Sequence, residues 1–183
     1  MSNTALIVID VQQSFLSRPF WVEDDVPEFQ QNISQLIEAC VAKNVPIVRI
    51  FHISSGPFAL ESGLVTPLDW MPPQHDVVFH KHVHNAFSDT GLDYWLRKRN
   101  ISKLLITGIR TEQCCETTAR IGSDMGYEVD FISDATLTFA MTHPTTGRTL
   151  SANDIKERTE VVLAGRFANI VSTADSVAAL SAM

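Results

Sequence analysis

A chain of 183 residues with 45% hydrophobic and 19% charged side chains can bury a sizeable core and is too apolar to remain disordered. Its 14 basic against 21 acidic side chains leave a formal charge of −7, which disfavours nonspecific nucleic-acid binding, and no Lys/Arg-rich run opposes that. The expected partner is a small-molecule substrate, with no nucleic acid and no membrane, since no apolar run approaches the ~20 residues that span a bilayer.

The run from Ala5 to Ile9 is too short for a signal-peptide core and lacks a basic leader. The three cysteines, Cys40, Cys114 and Cys115, form no spaced framework. An odd number with two adjacent fits a reducing compartment, so a cytoplasmic location is expected.

In chain order, Thr4 to Asp10 reads as a strand buried on both faces. A helix follows from about Val26 to Lys43, with Phe29, Ile33, Leu36, Ile37, Cys40 and Val41 on one stripe. Asp25 and Glu28 stand in capping-box relation, and Pro27 falls in the first turn. Cys40 lies inside the stripe and reads as a buried core thiol. Further strands are expected at Pro46–Phe51, Val77–His80, Leu104–Thr107, Glu128–Ile132 and Asn169–Ser172. Between them fall helices at about Leu92–Arg99, Glu112–Met125, Ala152–Gly165 and Ala174–Leu180, with a second capping box at Ser151 and Asp154. This alternation predicts an α/β fold: a three-layer αβα sandwich around a mostly parallel, Rossmann-like six-stranded sheet, in one domain over residues 1–183.

Two stretches break the alternation. Residues 12–24 carry Phe15, Phe20 and Trp21, and residues 54–74 carry Phe58, Leu60, Leu64, Trp70 and Met71. Loops this long are functional more often than idle, and these are too apolar to be solvated. They are expected to wall a ligand pocket, with Phe15 and Trp21 as substrate contacts, or to form the contact of a homo-oligomer.

Ligands of open parallel sheets bind at the carboxyl ends of the strands. Asp10 ends the first strand, Lys81 ends the third, and the fourth runs through Gly108–Gln113 into Cys114 and Cys115. An acid, an ammonium and a thiol at three strand ends form a plausible reactive set. Each also has a plain reading: Asp10 as a turn cap, Lys81 as a surface charge, Cys115 as packing beside Ala119, Gly122 and Gly126. With Thr111 as N-cap, Cys114 falls in the first helical turn, where free amides and Lys81 are expected to lower the thiol pKa. Adjacent helical residues point about 100° apart, so only one cysteine can face the cleft, and periodicity leaves open which.

These pieces carry a resemblance. Ala5-Leu-Ile-Val-Ile-Asp-Val-Gln12, Lys81 with Asn85-Ala-Phe-Ser-Asp-Thr-Gly-Leu92, Thr107-Gly-Ile-Arg-Thr-Glu-Gln-Cys-Cys-Glu-Thr-Thr-Ala-Arg120, Gly126-Tyr-Glu-Val129 and Ser133-Asp-Ala135 follow one another along most of the chain. Together they resemble the isochorismatase-like cysteine hydrolase superfamily, which includes nicotinamidases and N-carbamoylsarcosine amidases. The resemblance implies a catalytic triad of Asp10, Lys81 and Cys114, choosing Cys114 over Cys115. It also implies a cis peptide between Ile109 and Arg110, with the backbone amides of Arg110 and Cys114 as an oxyanion hole.

Departures refine the expectation. The Asp-x-His…His metal site of nicotinamidases is replaced by Arg49-Ile-Phe-His-Ile-Ser-Ser55, with one histidine and no acidic partner, so neither metal nor other cofactor is expected. His80, His82 and His84 alternate as ligands on one strand face would, but the segment is leaving its strand. Cys114 points away from vinyl-ether hydrolysis, which needs no thiol, and toward a small amide or ureido C–N bond. The alternatives are C–O hydrolysis and a silent metabolite- or partner-binding domain. Arg110, at a position where the superfamily commonly has a small residue, either holds a substrate carboxylate or pairs with Glu112 or Glu116; limited space favours the pair.

Overall fold

Strand β1 (Thr4–Ile9) is buried at all six positions, so it must lie in the middle of a sheet covered on both sides. In the computed structural model, which describes residues 3–182, it does. Its neighbours are β2 (Ile47–His52) and β4 (Lys103–Ile109); β3 (Val77–Lys81), β5 (Glu128–Leu137), a two-residue pair β6 (Met141–Thr142) and β7 (Thr149–Leu150), and β8 (Asn169–Val171) complete the strands. The main sheet runs β3-β2-β1-β4-β5-β8, and every neighbouring pair is parallel.

Alternate residues of β1 feed opposite layers. Leu6 and Val8 pack in one cluster with Phe29, Ile33 and Leu36 of α1 (Val26–Ala42) and Leu180 of α5 (Thr173–Ser181). Ala5, Ile7 and Ile9 pack in the other with Leu92 and Leu96 of α2 (Leu92–Lys98), Ala119 of α3 (Glu116–Asp124) and Leu163 of α4 (Ala152–Leu163). The period of two along the strand therefore builds the expected three layers. Each fully buried Leu, Ile or Phe contributes about 1.5–3 kcal/mol.

Several local expectations change. Asp25 sits at the start of α1 in an α-like conformation and its side chain caps nothing, so the expected box with Glu28 does not form. The Ser151–Asp154 box does. β5 runs on to Leu137 across an irregularity, where Ile106 pairs with Phe131 but Gly108 with Thr136. The bulged Ser133-Asp134-Ala135 stretch is put to use: the Asp134 carboxylate accepts from the Thr173 amide at 2.9 Å and its hydroxyl at 2.8 Å, at the start of α5. The short β6–β7 hairpin has no period-two signal to reveal it and is exposed nearly throughout.

The two apolar loops clasp each other. The Gln13 amide donates to the Thr66 carbonyl and the Ser14 amide to that of Leu64. Phe15, Phe58, Leu68 and Met71 are buried in the α1-side core, with Phe20, Trp21 and Trp70 packed against it. Most of their large apolar groups are thus used within the chain, while Leu16, Val22 and Leu60 stay exposed. Among the described residues no helix is long and apolar enough to cross a membrane.

Candidate active site

The strand order reverses between β1 and β4, and the crevice outside their carboxyl ends is where an open sheet has room for a ligand. The chain bends sharply there on both strands. Asp10 leaves β1 at φ 53, the left-handed region that non-glycine residues rarely enter, and its amide is held by the Ile50 carbonyl at 2.8 Å. Opposite it, Gly108 has φ 128, and a Cβ there would lie 2.0 Å from the Ile9 carbonyl oxygen. Only glycine lets β4 pass this close to β1. The Ile109–Arg110 peptide is cis.

Beyond it the expected single helix over 112–125 is two pieces. Thr111–Cys115 forms a π-helical turn and the α-helix starts at Glu116. Thr111 does not cap it; its hydroxyl lies 2.7 Å from that of Thr136. The Arg110 carbonyl instead accepts from the Gln113 and Cys115 amides at 3.2 Å each. The wide turn separates the two cysteines: Cys114 faces a cavity, whereas Cys115 is fully buried in the core beneath Ala119. π-turns of this kind recur at functional sites.

Lys81, fully buried, draws the strand ends together. Its Nζ donates to Asp10 Oδ2 at 2.8 Å, Cys114 Sγ at 3.4 Å and the Val83 carbonyl at 3.1 Å, and lies 3.2 Å from His52 Nδ1. An ammonium has three protons for these four neighbours, so a neutral His52 accepting through Nδ1 shares one of them with the other acceptors. Asp10 Oδ1 is buried with no hydrogen-bond partner, while the Cys114 thiol lies near enough to interact with the carboxylate. Gln12 fastens the frame: it donates to the His52 carbonyl at 3.0 Å and accepts from the His52 amide at 2.8 Å.

Burial dominates the electrostatics. It pushes Asp10 above its ordinary value of 3.8 despite the pull of Lys81. Burial alone would lower Lys81, but Asp10 and the Cys114 sulfur outweigh it and the net shift is upward. Burial and the Asp10 charge push the Cys114 thiol up, with Lys81 opposing. The expected low thiol pKa is therefore corrected. Asp10 and Lys81 largely cancel each other's field, and desolvation of the sulfur remains.

A cavity of about 190 Å³ opens on these groups, lined by Asp10, Phe15, Arg18, Phe20, His52, Phe58 and Cys114, among others. Phe15 is among the lining residues as expected, but Trp21 is not; it packs on Phe139 at 5.2 Å and Phe20 takes its place. Arg110 lines the cavity too, yet its guanidinium is engaged, 3.3 Å from Glu112 and 4.6 Å from the Phe20 ring centre. Glu116, the other acid considered, is taken by Arg120 and Arg158.

Sequence reasoning missed Arg18 and the place of His52 beside Lys81, whereas Phe58 was among the loop residues expected to wall a pocket. The strand-end rule would have found His52 at the end of β2, but Arg18 comes from a loop that carries no periodic signal. The alternating histidines disperse: His80 packs on Phe51, His82 bonds Asp89 at 3.0 Å, and His84 turns to His52. Among the described residues no three of His, Cys, Asp or Glu converge as metal ligands would.

A doubly wound parallel sheet with a carboxylate, an ammonium and a thiol meeting at its switch point defines an α/β protein equipped for proton transfer and nucleophilic attack. The chain belongs to the isochorismatase family of hydrolases, whose isochorismatase domain model matches residues 4–175. It is 32% identical over 141 residues to the uncharacterized isochorismatase family protein YrdC of Bacillus subtilis, covering 75% of each chain. It is 27% identical over 152 residues to nicotinamidase 3 of Arabidopsis thaliana, covering 74% of this chain and 73% of that one. A solved cysteine hydrolase from Pseudomonas syringae matches the fold with a TM-score of 0.89 at 26% identity, over 100% of this chain and 95% of the other.

Proposed function

We propose that this hydrolase cleaves a small amide or ureido C–N bond through a Cys114 acyl-enzyme, with Asp10, Lys81 and Cys114 as its triad. One observation carries the reading: a single buried ammonium bridges Asp10 Oδ2 and Cys114 Sγ, while Asp10 Oδ1 has no hydrogen-bond partner and the carboxylate lies near enough to the thiol to interact with it.

The resting cysteine is a neutral thiol, so the proton must leave as the sulfur attacks. Asp10 takes it while Sγ bonds to the substrate carbonyl carbon. The amides of Arg110 and Cys114 receive the oxyanion, and Lys81 balances the negative charge now shared by the site. Asp10 returns the proton to the leaving nitrogen as the C–N bond breaks, leaving a thioester. Asp10 then deprotonates a water that attacks the thioester, and the proton returns to Cys114 as the acid departs. No cofactor enters this scheme. The relatives named nicotinamidase and cysteine hydrolase support a C–N bond and a thiol. The three free thiols fit a reducing compartment, the cytoplasm.

The test is a screen of small amides, carbamoyl compounds and isochorismate, followed by substitution. Ammonia or amine release should fall by about 10⁴-fold in Cys114→Ala and by less than about threefold in Cys115→Ala. Iodoacetamide should label Cys114 before Cys115 or Cys40. Turnover that survives Cys114→Ala would instead select C–O hydrolysis, and no turnover with an unreactive Cys114 would select a binding domain.

A further inference from the structure

The charges around the cavity pair off, with one exception. Asp10 is matched by Lys81 at 2.8 Å and Arg110 by Glu112 at 3.3 Å. Arg18 remains. It follows the short 3₁₀ turn Gln13–Ser17, is exposed, and lines the same cavity as Cys114. Among the described residues its guanidinium makes no hydrogen bond and no ion pair; it lies over Phe58, whose ring centre is 4.8 Å from the guanidinium carbon.

That contact directs the group. Phe58 is buried and packs edge-on against Phe15 at 5.1 Å, so the ring under Arg18 is fixed. Cation–π attraction uses the flat face of a guanidinium and leaves the N–H donors around its edge unspent. Those donors match a carboxylate in two-pronged geometry. Arg110, the other guanidinium here, is not equivalent: it is 6% exposed, and it also donates to the Phe139 carbonyl at 3.4 Å. The net charge of −7 does not oppose an anion at this point, since charges beyond about 8 Å are screened at physiological salt.

We infer that Arg18 is a specificity residue that binds a carboxylate on the substrate, so that the substrates are small acids carrying an amide or ureido group at their other end. The amide half of this statement rests on the proposed function above; the anion half rests on the cavity alone.

Binding and turnover separate the two. Succinamate and glutaramate are titrated calorimetrically into Cys114→Ala protein beside their neutral diamides. The better acid should bind at least about tenfold more tightly than its diamide. Adding Arg18→Ala should shrink that ratio below about threefold, and Arg18→Lys, which keeps the charge and loses the fork, should retain part of it. Equal binding of acid and diamide, a ratio that survives Arg18→Ala, or no binding of either acid at about 10 mM would each overturn the inference. Ammonia release by the unsubstituted chain is read independently. Release without acid preference removes the Arg18 assignment and leaves the hydrolase; acid-selective binding without release from any amide does the reverse.

Discussion

Asp10 meets several requirements at once. It closes β1, turns the chain through the left-handed region, and puts one carboxylate oxygen on Lys81 while leaving the other open. Its pKa lies above 3.8 because burial outweighs the ammonium, so it protonates earlier on acidification than an ordinary aspartate. A proton acceptor must be ionised, so kcat/KM should rise with pH through an apparent value above 3.8 that belongs to the coupled trio. Cys114 is raised above 9.0, so no second rise should follow there. The profile should stay flat until Lys81, itself raised, loses its proton above 10.5. The ammonium's share of folding stability has the same sign: present below its unfolded value and lost as pH rises through the folded one. A rate that climbs with a thiol near 9.0 would show that the thiolate forms before the attack. Arg110 was left between two uses in the sequence. Its engagement with Glu112 and its aromatic neighbours favours the structural one, and the carboxylate-binding role passes to Arg18.

At the scale of elements, the site depends on how β4 leaves the sheet. Gly108 is needed for two separable reasons, its positive φ and the 2.0 Å approach to Ile9. Gly126 has a positive φ too, at 90, but nothing lies within 4 Å of its virtual Cβ. Gly126→Ala should therefore cost about 1 kcal/mol from conformation alone. Gly108→Ala should cost about 3 kcal/mol or more, because β1 or β4 must move. Thermal or denaturant unfolding checks both; equal losses would mean that the close approach is relieved by a small shift. The π-turn matters in a similar way. An ordinary α-helix from Glu112 was the natural reading of the sequence, but the turn is wider and puts Cys114 on the cavity and Cys115 in the core. Its cause is the route of the chain out of β4, which no local pattern encodes.

Over the whole molecule, the histidines and acids that would hold a metal are spread among different neighbours. His82 is bound to Asp89, His80 lies against Phe51, and Lys81 occupies His52 Nδ1. Dialysis against a chelator should therefore leave turnover unchanged, and loss of activity restored by zinc or iron would show that His52 and His84 ligate after all.

The layers and the parallel sheet were legible in the chain because a strand buried on both faces must be apolar throughout and a covering helix must carry a stripe. Asp10 was legible because a charge ending such a strand interrupts an apolar run, and Lys81 because it closes the half-buried edge strand β3. The thiol's protonation, the loss of Trp21 from the pocket and the arrival of Arg18 were not. Each depends on distances between segments far apart in sequence. The Cys114 shift is set by burial together with Asp10 after β1 and Lys81 of β3, and the cavity wall by two loops that clasp each other. Periodicity reports which face of an element is buried; only the tertiary structure decides what that face meets.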